Sequence, residues 1–377
     1  MTDSPTPMST IPSSPVGLHR VLDAGPGVLP YRARSLDTRH EIWPDEVRVD
    51  VDGLSLHGPF YRQLRMANTD EAGALDVPAL RGAVLDIVAT HGKLQSPISG
   101  DGGKFTGTVA EVGSQSPLGL SVGDDIISVT SLAVTPLTLT DGLAQWDGLS
   151  EFIPTTGATA ILFARSDVAR RPTDLDLRFA VQVMRTSEAP AIVAQLIAEA
   201  VETGATPVVC VLGAEKTSGS LTLALAGQSA KRIAVTQDAG AADALRAAGL
   251  ADEVIVADQA PSMDLLTRVI HAGGPAQITV DCDDTGTATQ SAILVTEQGG
   301  TVVYAPADTD FQAAARGAEA LAANVRMIIG AGNTPGHADA AIEAVRADDA
   351  LRALLERRFA VEAPKHYEFD DSGAPWS

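Results

Sequence analysis

The sequence predicts a two-domain α/β protein: a β-rich first part, then a doubly wound parallel sheet of six strands. Three observations carry this expectation. The chain has 377 residues, too many for one ordinary core. Up to about residue 165, short stretches alternate polar and apolar residues, as half-buried strands do. From about residue 190, short and almost continuously apolar runs alternate with helical patterns, as in a parallel sheet covered on both faces.

The elements follow in chain order. Residues 1–16, rich in Ser, Pro and Thr, read as a disordered arm rather than a signal peptide. Residues 45–51, 105–113 and 124–130 read as strands, and the Gly-rich SPLGLSVGDD joins the last two. Residues 190–203 read as a helix. The six apolar runs are 208–212, 232–235, 253–256, 277–281, 300–304 and 325–330, with helices near 218–229, 239–248, 261–272, 285–297 and 311–322 between them. Two more helices follow at 335–346 and 347–358, and the acidic end reads as loose.

Composition excludes several classes of partner. A net charge of −21 repels nucleic acid phosphates and anionic lipid. There is no run of 18 apolar residues, so no membrane span is expected, and a cytoplasmic location is the expectation. The two cysteines, Cys210 and Cys282, lie in apolar runs and read as buried thiols.

The first apolar run of the parallel sheet leads into Gly213-Ala214-Glu215-Lys216-Thr217-Ser218-Gly219 and then a helix. A dinucleotide pyrophosphate sits at such a place, on the first N–H groups of the helix. Gly213 suits the tight turn, and Gly219 suits close packing of helix on strand. The middle position, where the phosphate approaches the backbone, holds Glu215. A carboxylate there crowds the site and repels a pyrophosphate by up to a few kcal/mol at ~4 Å, which Lys216, Thr217 and Ser218 can offset if Glu215 points outward. The second run ends at Asp238, which can hold the ribose hydroxyls of NAD or cap the helix after it. No Arg follows to hold a 2′-phosphate, which favours NAD over NADP.

The order of β-rich part, Rossmann segment and helical return resembles the medium-chain dehydrogenase/reductase superfamily. FTGTVAEVGSQSPLGLSVGDDI looks like its GroES-like domain. Four further stretches resemble the L-erythro-3,5-diaminohexanoate dehydrogenase family. They are Gly27–Pro30, Gly92–Gly100 ahead of Gly102-Gly103, Leu250–Asp258, and Met327–Gly330 with Asn333, Thr334, His337 and Ala338. The resemblance implies a GroES-like catalytic domain from 17–188 and 331–365 around a Rossmann domain at 189–330, with 366–377 as a loose tail. It also implies a homodimer joined edge to edge through the strand at 300–304 or 325–330. The implied activity is a zinc-independent, NAD(P)-linked oxidative deamination of a small amino acid, or its reverse.

By the same resemblance, the positions that hold catalytic zinc in alcohol dehydrogenases fall on His57, Asp101 and Arg185. A fixed guanidinium repels a divalent ion, and both cysteines lie elsewhere, so no metal is expected. His57, in a turn with Gly58-Pro59, is a candidate general base or a surface histidine. Asp101, in a Gly-rich turn, can hold an ammonium or stabilise the turn. Arg185 can hold a carboxylate in a fork, and Glu188 can favour the helix start beside it. Gln95, Asn333 and His337 are implied polar contacts to substrate or nicotinamide, although His337, in a first helical turn, also reads as exposed. A runner-up reading is a relative that has lost its cofactor and does non-redox chemistry on an amino-acid-like molecule. A non-catalytic binding protein is a third.

Overall fold

The computed structural model describes residues 12–22, 28–306, 309–330 and 334–362. Most of the expected arm over 1–16, and all of the expected tail over 366–377, lie outside the described residues. The chain divides into two compact units, with the boundary between Val181 and Gln182.

In the first unit the elements are β1 (Val47–Ser55), α1 (Gly58–Ala67), α2 (Val77–His91), β2 (Lys104–Val112), β3 (Asp125–Ser128), β4 (Leu137–Leu139), β5 (Phe152–Leu162) and β6 (Val168–Arg170). The strands form one antiparallel sheet in the order β4-β5-β1-β2-β3-β6. Alternation builds it: Val47, Val49 and Val51 of β1 are buried, while Asp50 and Asp52 face water. These valines pack with Phe105, Val109, Ile126, Ile153 and Trp146.

The β-rich expectation omitted α1 and α2. α2 buries Leu80, Val84 and Val88, four residues apart on one face. The Asp76 carboxylate accepts the Ala79 N–H at its start, and Gly92, at φ 60°, ends it.

The segment ahead of β1 is tied down by a buried charge. Arg20 donates from Nε and Nη2 to both Glu46 oxygens, at 2.8 and 2.6 Å, and both side chains are fully buried. Glu46 also takes the Trp43 N–H, and His19 Nε2 lies 2.8 Å from it. Burial pushes the Glu46 carboxyl up, but Arg20 and His19 outweigh it and hold the group below its ordinary value.

α3 (Leu177–Met184) crosses the boundary in sequence. The second unit then runs α4 (Glu188–Glu202), β7 (Val208–Leu212), α5 (Thr217–Ala226), β8 (Lys231–Thr236), α6 (Ala239–Ala247), β9 (Glu253–Val256), α7 (Met263–His271), β10 (Ala276–Asp281), α8 (Thr289–Leu294), β11 (Thr296–Tyr304), α9 (Phe311–Ala320), β12 (Arg326–Ile329), α10 (His337–Ala347) and α11 (Asp349–Glu362). The sheet is parallel, in the order β12-β11-β10-β7-β8-β9. Its connections reverse direction between β7 and β10, the switch point where doubly wound sheets bind ligands.

One boundary is corrected. The sequence reading assigned 331–365 to the β-rich domain and began the Rossmann domain at 189. α10 and α11 instead belong to the second unit. Ala341, Ile342 and Val345 of α10, with Leu351 and Leu354 of α11, are buried, and these helices pack on α4 and α5. Arg358 Nη1 donates to Ser220 Oγ at 2.7 Å.

Candidate functional site

The candidate residues fall in two places, one in each unit. In the first unit, β1 runs into His57, the residue that starts α1. His57 Nδ1 lies 2.9 Å from Asp101 Oδ2. The other Asp101 oxygen accepts the N–H groups of Gly102, at 2.6 Å, and Gly103, at 3.2 Å, with Ser131 Oγ at 3.5 Å. Asp101 therefore fixes its turn, one of the two roles the sequence left open, while its second oxygen lies beside the His57 ring. Burial pushes its carboxyl up, but the His57 ring and the two N–H groups outweigh this and hold it well below the usual carboxylate range. An ionised Asp101 facing Nδ1 favours the tautomer with the proton on Nδ1. His57 Nε2 is left as an acceptor. Roughly a third of each side chain is exposed, 37% for His57 and 36% for Asp101, so the pair is open to a ligand.

Gln95 belongs to the same turn system, but in a different role from the implied one. Its Nε2 donates to the carbonyls of Gly100, at 3.0 Å, and Tyr31, at 3.3 Å. The buried Lys93 ammonium donates to the carbonyls of Pro30, at 2.7 Å, and Tyr31, at 3.2 Å. Both side chains hold residues 30–31 beside the turn that carries Asp101. Asn333 lies outside the described residues.

In the second unit, the loop between β7 and α5 has the expected shape. Gly213 has φ 69°, and a Cβ there would lie 2.9 Å from the Asp283 nitrogen. A Cβ on Gly219 would lie 2.6 Å from the Gly213 carbonyl oxygen, so α5 packs on the strand end only because this residue is glycine. Lys216, the residue before α5, makes no side-chain cap to the first N–H groups of the helix. These features fit a dinucleotide.

Glu215 is the discordant residue. Its side chain is half-buried, and its Oε2 is buried with no hydrogen-bond partner among the described residues, so the condition that it point outward is not met by that oxygen. Its charge reaches the fully buried Cys282 thiol at the end of β10, which burial, with Asp281 and Glu215, pushes up to about 12. Lys216 Nζ turns to Asp284 Oδ1, at 2.8 Å. That ion pair outweighs burial and raises the ammonium above its ordinary value. Asp238 caps α6 with a 2.5 Å bond from the Ala241 N–H, the second of its two sequence readings.

Arg185 and Glu188 lie where α3 gives way to α4, and Glu188 is the first residue of α4. His337 is corrected from a possibly exposed helix start to a buried one, 1% accessible. Its Nδ1 lies 2.7 Å from Ser187 Oγ, which donates to the Met184 carbonyl. Ser187 Oγ has one proton, so His337 Nδ1–H donates to it. His337 thereby joins α10 to the start of α4, two residues beyond Arg185.

Sequence reading missed Asp281, the last residue of β10 and 1% exposed. Its Oδ1 accepts the Asp283 N–H, while Oδ2 is buried without a hydrogen-bond partner among the described residues. Burial, with the charge of Asp283, raises its pKa to about 7. The available signal was an acid ending a mostly apolar strand beside the switch point. Among the described residues, no three His, Cys, Asp or Glu side chains gather as a metal site. Nor is any helix long and apolar enough to cross a membrane.

Comparison with known proteins matches residues 19–172 to the L-erythro-3,5-diaminohexanoate dehydrogenase N-terminal domain. L-erythro-3,5-diaminohexanoate dehydrogenase of Acetoanaerobium sticklandii is 30% identical over 356 residues, covering 91% of this chain and 98% of that protein. The enzyme of the same name from Fusobacterium nucleatum is 30% identical over 347 residues, 90% of this chain and 96% of that protein. Among solved structures, galactitol-1-phosphate dehydrogenase from Escherichia coli aligns at a TM-score of 0.47 and 15% identity, over 87% of this chain and 86% of that one. An alcohol dehydrogenase from Pyrobaculum aerophilum aligns at 0.43 and 19% identity, over 89% and 92%. At 30% identity over almost the full length of both chains, this protein belongs to the L-erythro-3,5-diaminohexanoate dehydrogenase family and is an enzyme of the oxidoreductase class.

Proposed function

We propose that the chain is a zinc-independent, NAD(P)-linked dehydrogenase of a small amino acid resembling 3,5-diaminohexanoate, working as an oxidative deaminase or in reverse. Family membership over almost the whole chain is the observation that carries this reading. A bound nicotinamide would accept the hydride that leaves the amine-bearing carbon of the substrate. The space at Gly213 and Gly219 and the first N–H groups of α5 would hold the pyrophosphate, and Lys216, Thr217 and Ser218 would border it. NAD is preferred to NADP, because no cation follows Asp238 to hold a 2′-phosphate.

The remaining steps need a base. His57 Nε2 takes a proton from the substrate ammonium, and Asp101 stabilises the imidazolium that forms. Water adds to the resulting imine carbon and ammonia leaves, so the products are a keto acid and ammonia. Zinc independence is read from residue types: His57 and Asp101 offer one imidazole and one carboxylate, fewer ligands than a zinc site needs.

The protein is proposed to act as a homodimer in the cytoplasm. β12 forms an edge of the parallel sheet, and its Met327 and Ile329 are 38% and 56% exposed. A second reading, a relative that has lost dinucleotide binding and does non-redox chemistry, is favoured by one observation: the inward carboxylate of Glu215.

The test is a screen of β-amino acids and β-keto acids plus ammonia, with both nicotinamide cofactors, followed by the cofactor's absorbance. Amino-acid-dependent reduction of NAD is the expected result. Turnover of such substrates without any change in the cofactor supports the second reading instead.

A further inference from the structure

Several features meet where the loop after β7 touches the end of β10. The Gly213 turn lies against the backbone of Cys282 and Asp283. Lys216 is paired with Asp284. Glu215 has a buried, unpartnered Oε2, and its charge acts on the Cys282 thiol behind the loop. A buried carboxylate oxygen without a donor is costly, so this arrangement is retained against a penalty. Lys216, the cation within the loop, feels the Glu215 charge but is paired with Asp284 and also faces Asp283, so it is shared among three acids.

We infer that Glu215 is a charge gate on dinucleotide binding. The inference rests on the proposed reading of this loop as a dinucleotide site. The gate works in two linked movements. The Glu215 carboxylate must leave its inward position before a pyrophosphate can lie against the start of α5, because two like charges cannot share that space. Lys216 must give up Asp284 to meet the phosphates. The loop therefore holds its charges in a closed arrangement, and a dinucleotide binds by exchanging the Lys216–Asp284 pair for a Lys216–phosphate pair. Glu215 and Asp284 set the affinity without touching the nicotinamide.

The experiment titrates the full-length protein with NADH, following its fluorescence, for wild type, Glu215→Gln, Glu215→Gly and Asp284→Asn. A thermal melt of each confirms folding and gives a second reading of ligand binding. The expected result is binding tightened about tenfold by Glu215→Gln, at least as much by Glu215→Gly, and severalfold by Asp284→Asn, on the scale of removing one like charge from a partly solvated site. Equal or weaker binding by both Glu215 variants than by a wild type that binds overturns the gate and leaves the proposed function standing. Absence of binding by every form at millimolar NADH overturns both, because a loop freed of its carboxylate should accept the cofactor.

Discussion

His57 and Asp101 meet at 2.9 Å, from the start of α1 and from the Gly-rich turn before β2. Two backbone N–H groups hold the aspartate and keep it ionised, and the aspartate in turn fixes the imidazole. This relationship makes His57 Nε2 the acid–base atom of the account. Asp101→Asn keeps an oxygen for Gly102 and Gly103 but removes the charge facing Nδ1. Its kcat/KM should fall about 10–100-fold. His57→Gln should cost about 10²–10⁴-fold in kcat and leave the NADH dissociation constant unchanged. Steady-state kinetics over a pH series check both variants.

Asp281 links stability to pH. Its folded pKa, raised to about 7, lies above the ordinary 3.8, so the folded state favours its protonated form. The protonated carboxyl is accommodated at low pH. From about pH 4 to 7 the unfolded state ionises more readily, and stability falls. The full effect is on the order of 4 kcal/mol at most. Asp281→Asn should flatten the thermal melting temperature between pH 5 and 8 and raise it at pH 8 relative to wild type. A parallel decline in both proteins across that range would contradict this role.

Glu46 has the opposite sign. Its folded pKa is lowered, so its contribution is present above the unfolded value near 4.5 and is lost as pH falls below it. Glu46→Ala leaves Arg20 buried without its partner and should cost about 3–5 kcal/mol in denaturant unfolding. Loss of less than about 1 kcal/mol would mean that this pair does not tie residues 19–20 to the strap ahead of β1.

The parallel sheet was legible in detail, and the β-rich unit much less so. Val208–Leu212 and Glu253–Val256 form strands at the bounds the apolar runs set; the first is a central, buried strand, and the second lies at the sheet edge but keeps an apolar run between turn residues. α1 and α2 were missed, although Asp76, Val77-Pro78 and Gly92 carry the start and stop signals of α2, because the flanking alternation drew the whole region toward strand. The resemblance put His57 and Asp101 in one set of positions, but their approach to 2.9 Å depends on how β1 and the Gly-rich turn lie together. The inward turn of Glu215 and the burial of Asp281 are properties of packing, which one sequence does not record.

Edge strand β12 carries the dimer proposal. Ile329→Lys places a charge on the exposed edge. Sedimentation should show a dimer for wild type and a monomer for the variant at the same micromolar concentration. A wild-type monomer at that concentration would remove the dimer from the account.

The central claim is that this family member still works with a nicotinamide dinucleotide. Titration of the purified protein with NADH and NADPH, read by the fluorescence of the reduced ring, tests it most directly. The account predicts saturable binding in the micromolar to sub-millimolar range, tighter for NADH. No binding of either at millimolar concentration would contradict it and turn attention to non-redox chemistry at His57 and Asp101.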